Sequence, residues 1–194
     1  MKTFFYLMSL LMVVPMVSSC TLPGKRPSDP KTPWEQLLTS HAIERSLAET
    51  TLGIPEGTSL VLDASGLTAD QRFMGDVVAG WLGQKGFVVK EAEEEATYRV
   101  QLIIQSVGTE ADVKLIGVGG GEALSNFIGI RIPELAIYKS DREEGVSRFY
   151  MRIFDAHTGA FISSTPSHEG SVHRTKYTLL FVIKWQDTDL IQGD

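Results

Sequence analysis

Thr68-Ala69-Asp70-Gln71-Arg72-Phe73-Met74-Gly75-Asp76-Val77-Val78-Ala79-Gly80-Trp81-Leu82-Gly83-Gln84-Lys85-Gly86 runs directly into Phe87-Val88-Val89. Met74, Val77, Val78, Trp81 and Leu82 recur at i, i+3, i+4, i+7 and i+8, which places them on one stripe of an amphipathic α-helix. Thr68 followed by Gln71 has the form of a capping box that starts the helix. Lys85 suits the negative end of the helix dipole, and Gly86 supplies the left-handed residue that ends it. Upstream, Ser59 to Asp63 is a short apolar strand; downstream, Phe87 to Val89 is another. After an acidic turn from Ala92 to Ala96, Tyr98, Val100, Leu102 and Ile104 alternate with Arg99, Gln101 and Gln105, the pattern of a half-buried strand.

On the N-terminal side, Thr32-Pro33-Trp34-Glu35 combines a capping box with proline at the first helical position. Trp34, Leu37, Leu38, Ile43 and Leu47 follow, and Gly53 closes the segment, so a helix is predicted over about 33–50. It is expected to dock on its own domain or on a neighbour. On the C-terminal side, strands are predicted over 134–139 and 148–154, with Arg142, Glu143 and Glu144 as an exposed turn between them. Asp155-Ala156-His157-Thr158-Gly159 has turn chemistry, and 160–164 returns from it as a hairpin. Tyr177 to Trp185 reads as one strand carrying Tyr177, Leu179, Phe181, Ile183 and Trp185 on one face. These elements predict an α+β domain: a mostly antiparallel sheet with one main amphipathic helix packed on it, plus an N-terminal helix.

The first nineteen residues lie outside that fold. Lys2 provides a positive start, and Phe4 to Val17 is an apolar stretch too short to span a bilayer comfortably but suited to a secretory signal. It ends in Val17-Ser18-Ser19-Cys20, which resembles the lipobox of bacterial lipoproteins. Small residues admit the chain to a signal peptidase, and the Cys20 thiol is the nucleophile for lipid transfer. The resemblance implies residues 1–19 as a signal peptide and an acylated, palmitate-bearing Cys20. Thr21 in place of aspartate favours export to the outer membrane by the rule for enterobacterial lipoproteins, with the periplasmic face favoured over the cell surface. Residues 20–33, with Pro23, Pro27, Pro30 and Pro33, read as a semi-extended tether. Residues 34–194 are expected to form a single domain.

The 194 residues carry 18 basic and 24 acidic side chains, a net charge of −6, which argues against a nucleic-acid partner. A single cysteine supports neither an internal disulfide nor a multi-cysteine zinc site.

The run from Leu60 through Gln105, with Gly83-Gln84-Lys85-Gly86-Phe87 and Ala96-Thr97-Tyr98, is similar to the first half of TraT-type surface-exclusion lipoproteins. The architecture also resembles the domain shared by CsgG-like secretion lipoproteins and the N-terminal domain of TolB. The second half resembles an uncharacterised family of bacterial lipoproteins. That likeness rests on Val107-Gly108-Thr109, Ile116-Gly117-Val118, Pro133-Glu134-Leu135-Ala136-Ile137, 154–159 and 174–181. These resemblances imply an envelope location and an assembly-module fold. TraT-type proteins carry a long Gly/Ala-rich apolar region between their halves. Here 115–132 is short and bears Glu122 and Arg131, so a membrane-crossing hairpin is not expected.

The candidate catalytic and metal-binding stretches each depart from the spacing that the chemistry needs. His168 and His173 stand at i, i+5 rather than the i, i+4 of a helical zinc motif, and a polar loop is expected there. Gly117-Val118-Gly119-Gly120-Gly121 meets Glu122 where a dinucleotide cradle wants glycine, and no Lys-Ser or Lys-Thr follows. The Gly117–Arg131 stretch is expected as a loop. Asp155, His157 and Thr158 fit a turn that satisfies its own amides. Glu91, Glu93, Glu94 and Glu95 fit a solvated charge run. The expectation is a non-catalytic, lipid-anchored envelope protein without cofactor or metal. Its partners would be membrane lipid through Cys20 and either an envelope protein or further copies of itself. An oligomeric TraT- or CsgG-like export or exclusion component is the alternative, and a metal-dependent hydrolase using His157, His168 or His173 a weaker one.

Overall fold

The structure is a computed structural model that describes residues 31–118 and 135–190. In chain order the elements are α1 (Pro33–Ala48), β1 (Ser59–Gly66), α2 (Gln71–Gln84), β2 (Val88–Lys90), a 3-10 turn (Glu93–Glu95), β3 (Tyr98–Val118), β4 (Leu135–Asp155), β5 (Phe161–Ser164), β6 (His168–Leu179) and β7 (Ile183–Thr188). The strands form one sheet in the order β2-β1-β3-β4-β6-β7, with β5 paired to β4. This is a strand-rich α+β fold. The signal segment, Cys20 and its lipobox, most of the tether, and the 119–131 part of the Gly117–Arg131 stretch lie outside the described residues.

Both ladders of β1 are parallel: Leu60 aligns with Val89 on one side and with Tyr98 on the other. This corrects the expectation of a mostly antiparallel sheet for that part. A parallel pair needs a crossover of a dozen or more residues, and the helical stripe read from 74–82 is that crossover. β4 and β5 pair antiparallel. β6 and β7 are neighbours joined by three residues, a connection only an antiparallel pair allows.

The chain divides into two compact units; the described residues of the larger are 31–110, 143–174 and 188–190. Its core gathers Met74, Val78 and Leu82 of α2, Leu60 of β1, Val100 and Leu102 of β3, and Phe149, Met151 and Ile153 of β4, all fully buried. The two helix starts differ. At α1 the capping box forms as predicted: the Glu35 amide donates to Thr32 Oγ1 (3.3 Å) and the Thr32 amide donates to Glu35 Oε2 (2.6 Å). At α2 it does not. Asp70 is the N-cap residue and makes no side-chain cap. Thr68 Oγ1 instead donates to the Val107 carbonyl (3.3 Å), and Gln71 Nε2 donates to the Ala64 carbonyl (2.7 Å). Both side chains of the expected box thus secure the helix start to neighbouring strand backbone. The helix ends as read, with Gly86 at φ +86°.

α1 lies flush on the sheet at two glycines. A Cβ at Gly145 of β4 would stand 2.3 Å from the Leu38 carbonyl oxygen, and one at Gly170 of β6 would stand 2.2 Å from the Ala42 carbonyl oxygen and 2.5 Å from the Ser46 nitrogen. Helix backbone therefore meets strand backbone with no side chain between them. Leu38, Ala42 and Val172 close a second small core beside this seat, with Leu190 packed on it. The buried Ser46 and Ser147 hydroxyls pair across it at 3.1 Å.

In the smaller unit the described residues are 111–118, 135–142 and 175–187. β3 continues through it well past Gln105, where the alternation weakens. Residues 142–144, expected as an exposed turn, lie within the continuous strand β4. Charge alone suggests a break there, but Lys139 and Asp141, two residues apart and so on one face of the strand, pair at 3.5 Å within the ladder. The stretch 177–185 is not a single strand. A turn interrupts it, closed by the Val182 amide on the Leu179 carbonyl (3.3 Å), with Leu180 at φ +47° and Phe181 at φ +68°. Positive φ at both central residues is the signature of a type I′ hairpin turn, which favours Asn-Gly. Apolar character alone could not reveal it. The Leu180 and Phe181 amides then donate to the Ile137 and Ala136 carbonyls (2.8 and 3.1 Å) and fix the turn against β4.

Two outcomes follow for stability. Gly170→Ala forces helix backbone off strand backbone, so urea unfolding should show a loss at the upper end of the 1–3 kcal/mol typical of overpacking, about 3 kcal/mol; an unchanged midpoint would contradict the seat. Leu180→Asn with Phe181→Gly removes left-handed strain of order 1–3 kcal/mol, so the double variant should unfold at higher urea than the parent.

Candidate functional site

The larger unit holds a polar cluster where α1, β6 and the C-terminal segment meet. α1 presents Arg45 in its last turn, β6 presents His173, and β7 is followed at once by Asp189. Asp189 Oδ1 accepts the His173 amide (2.7 Å) and lies 3.3 Å from His173 Nδ1. Asp189 Oδ2 accepts Arg45 Nη1 (2.6 Å), while Arg45 Nη2 donates to the Asp189 carbonyl (2.6 Å) and Nη1 also reaches the Ser171 carbonyl (2.8 Å). Thr188 Oγ1 donates to the His173 carbonyl at 2.9 Å. Burial pushes the Asp189 carboxyl up, but the His173 amide and Arg45 outweigh it and hold the group below its ordinary value of 3.8. A shallow pocket of about 210 Å³ beside it is lined by His41, Glu44, Arg45, Ala48, Val172 and Leu190.

The same side of α1 is held at its other end. The Arg174 guanidinium lies 3.8 Å from the centroid of the Trp34 ring, a cation–π contact on a largely buried arginine. Leu38 is fully buried, so the N-terminal helix docks on its own domain. Trp34 and Leu37 keep part of their surface in solvent.

His173 beside Asp189 has the orienting half of a nucleophilic triad. Such a triad also needs a nucleophile on the far ring nitrogen and donors for an oxyanion. Here both oxygens of the carboxylate are taken by donors from strand and helix, which is the arrangement of a clamp. The histidines singled out in the sequence do not converge. His157 sits in the β4–β5 turn, where Asp155 Oδ1 accepts the Thr158 amide (2.7 Å), the Thr158 hydroxyl (2.8 Å) and the His157 amide (3.0 Å). The Thr158 amide first, and then its hydroxyl, hold that carboxyl below the ordinary value. His168 packs its ring 5.8 Å from that of Phe149. His168 and His173 are on strand β6, not in the polar loop expected; the alternation of buried residues through 170–174 marks it as strand. Residues five apart on a strand face opposite ways. Among the described residues no three His, Cys, Asp or Glu side chains are grouped to hold a metal. In the acidic run, Glu95 pairs with Lys90 (3.3 Å) and Glu93 with Arg99 (3.5 Å).

An open groove of about 710 Å³ lies along α2 and β1, lined in part by Gln71, Arg72, Gly75 and Asp76 of the helix and Val61 and Val89 of the strands. Its charged groups are of both signs.

Nothing in the sequence pointed to Arg45 or Asp189. Arg45 reads as an ordinary cation in a last helical turn, and Asp189 lies in a polar stretch after the last apolar run.

No protein-family model matches the chain, and no curated protein matches it. Among solved structures it is similar to lipoprotein GNA1162 from Neisseria meningitidis, at 10% identity over 60% of this chain and 82% of that one, with a TM-score of 0.34. It is also similar to the LpoB C-terminal domain from Salmonella enterica, at 11% identity over 73% of this chain and 98% of that one, with a TM-score of 0.32. Likenesses this distant carry no argument about this chain's activity.

The clamp has a pH signature. Because the Asp189 carboxyl is depressed in the folded state, the unfolded chain takes up its proton first as pH falls. The stabilisation is complete above about pH 3.8 and is lost as pH falls through the lower folded value. Asp189→Asn should therefore unfold at lower urea than the parent at neutral pH, and the gap should close on acidification below pH 3.8; a gap constant with pH would contradict the clamp.

Proposed function

We propose that this chain is a non-catalytic, lipid-anchored protein of the bacterial cell envelope whose folded domain serves as an interaction or assembly module. The observation that carries the reading is Val17-Ser18-Ser19-Cys20 at the end of an apolar leader, holding the one cysteine of the chain and followed by a proline-rich tether. Diacylation or triacylation of Cys20 gives strong anchorage, because each buried methylene contributes about 0.8 kcal/mol. Thr21 favours the outer membrane, and the periplasmic face is the preferred side. The way the domain spends its polar groups supports a binding role. Asp189 fastens the C-terminal segment to Arg45 of α1 and to His173 of β6, Asp155 closes a hairpin, and Glu93 and Glu95 of the acidic run pair with Arg99 and Lys90. The tether enters α1 at the capped Thr32, so the anchored end of the chain meets the domain at a firmly seated helix.

A second reading, an oligomeric export or exclusion component of TraT or CsgG type, is favoured by one observation: β7 is an edge strand whose residues 183–187 are all exposed. Light scattering of the detergent-extracted protein over a dilution series separates the two. A monomer at every concentration supports the first reading, and a concentration-independent ring supports the second.

Replacing Cys20 with serine removes the acylation site. The Cys20→Ser protein should lose membrane partition by more than about a hundredfold in detergent phase separation, given the apolar chains removed. Equal partition of parent and variant would overturn the anchored reading.

A further inference from the structure

We propose that the turn between β6 and β7 is a lipid-contact tip, with Leu180, Phe181, Val182 and Ile183 entering the headgroup region of an anionic bilayer. The proposal rests on the anchored reading above, which supplies the bilayer.

Four consecutive apolar residues stand out from the turn, exposed by 54%, 49%, 77% and 51% in order. Single exposed apolar side chains are ordinary on a protein surface, but a contiguous group marks a contact site. The backbone conformation makes the choice of residue stranger still. Leu180 and Phe181 occupy positive-φ positions where asparagine and glycine would sit without strain. Two bulky apolar residues there cost conformational energy and still leave about half their surface in solvent, a combination expected where the exposed surface is used.

The surroundings of the turn fit a bilayer interface. The Tyr177 ring stacks on Trp185 at 5.1 Å and 15°, and Tyr138 stands 6.5 Å from Tyr177. Tyrosine and tryptophan, apolar in body and polar at the edge, are suited to the headgroup level. Lys176 and Lys184 flank the turn and are exposed. These two lysines beside the apolar tip are complementary to anionic lipid. The tip is also too small to hold a protein partner by itself, since a stable protein interface needs about 800 Å² per partner. A convex group of four side chains can enter a fluid interface without a matching pocket.

The full lipidated chain carrying Val182→Cys, labelled there with an environment-sensitive fluorophore, provides the test. It is reconstituted into phosphatidylethanolamine–phosphatidylglycerol vesicles, with phosphatidylcholine vesicles as the neutral comparison. With Cys20 acylated, the thiol introduced by V182C is the one that labels. The probe should shift to the blue on phosphatidylglycerol-containing vesicles, be quenched by brominated acyl chains, and shift less on phosphatidylcholine. Adding Leu180→Asn and Phe181→Gly, a pair that relieves backbone strain and so keeps the fold, should abolish the shift while the protein still floats with the vesicles. Flotation with a probe that reports water overturns the tip and leaves the anchor standing. A blue shift that brominated lipid does not quench indicates burial against protein and also overturns it. Failure to float, with two thiols labelled, overturns the anchor and the tip together.

Discussion

The larger unit depends on the direct contact of helix α1 with the sheet. At Gly145 and Gly170 the helix backbone rests on strand backbone, closer than any side chain would permit. That closeness brings the Arg45 side chain within reach of the Ser171 carbonyl and Asp189, and the Ser46 hydroxyl within reach of Ser147. It also sets the Trp34 ring over the Arg174 guanidinium. Each of these contacts is directional and fails over an ångström or two. A helix lifted by the width of a side chain would lose them together.

This arrangement engages polar groups that look reactive in the sequence in contacts within the fold. A histidine beside an aspartate can orient a general base, or it can fasten a chain end. Arg45 holds the second carboxylate oxygen and the adjacent carbonyl as well, so this carboxylate fastens the C-terminal segment to α1. Asp155 does a similar service for its turn, with three donors on one oxygen. The contacts of both carboxylates are internal to the domain.

Much of the larger unit was legible in the sequence. The stripe Met74, Val78 and Leu82 is the buried face of α2, and the Thr32–Glu35 capping box starts α1. What could not be read depends on tertiary contact. The parallel pairing of β1 follows from how the crossover packs, and Thr68 abandons its box for the Val107 carbonyl, 39 residues away. Gly170 looks like a loop residue because its need for closeness lies in a helix more than a hundred residues earlier. Charges at 142–144 resemble a turn, while the real turn at 180–181 carries residues that local preference would keep out of one. The Arg45–Asp189 pair spans 144 residues and leaves no local trace.

The folded domain and its leader have separate kinds of support: packing and hydrogen bonds for the one, residue spacing at 17–20 for the other. They join at Thr32, where the proline-rich segment becomes a capped helix. The claim that links them is that Cys20 is the N-terminal, acylated residue of the mature protein. Mass spectrometry of the N-terminal peptide, taken from protein extracted from bacterial membranes, tests it most directly. The expected result is a peptide beginning at Cys20 that carries the added mass of acyl chains. A peptide retaining residues before Cys20, or one with an unmodified Cys20 thiol, would contradict the account.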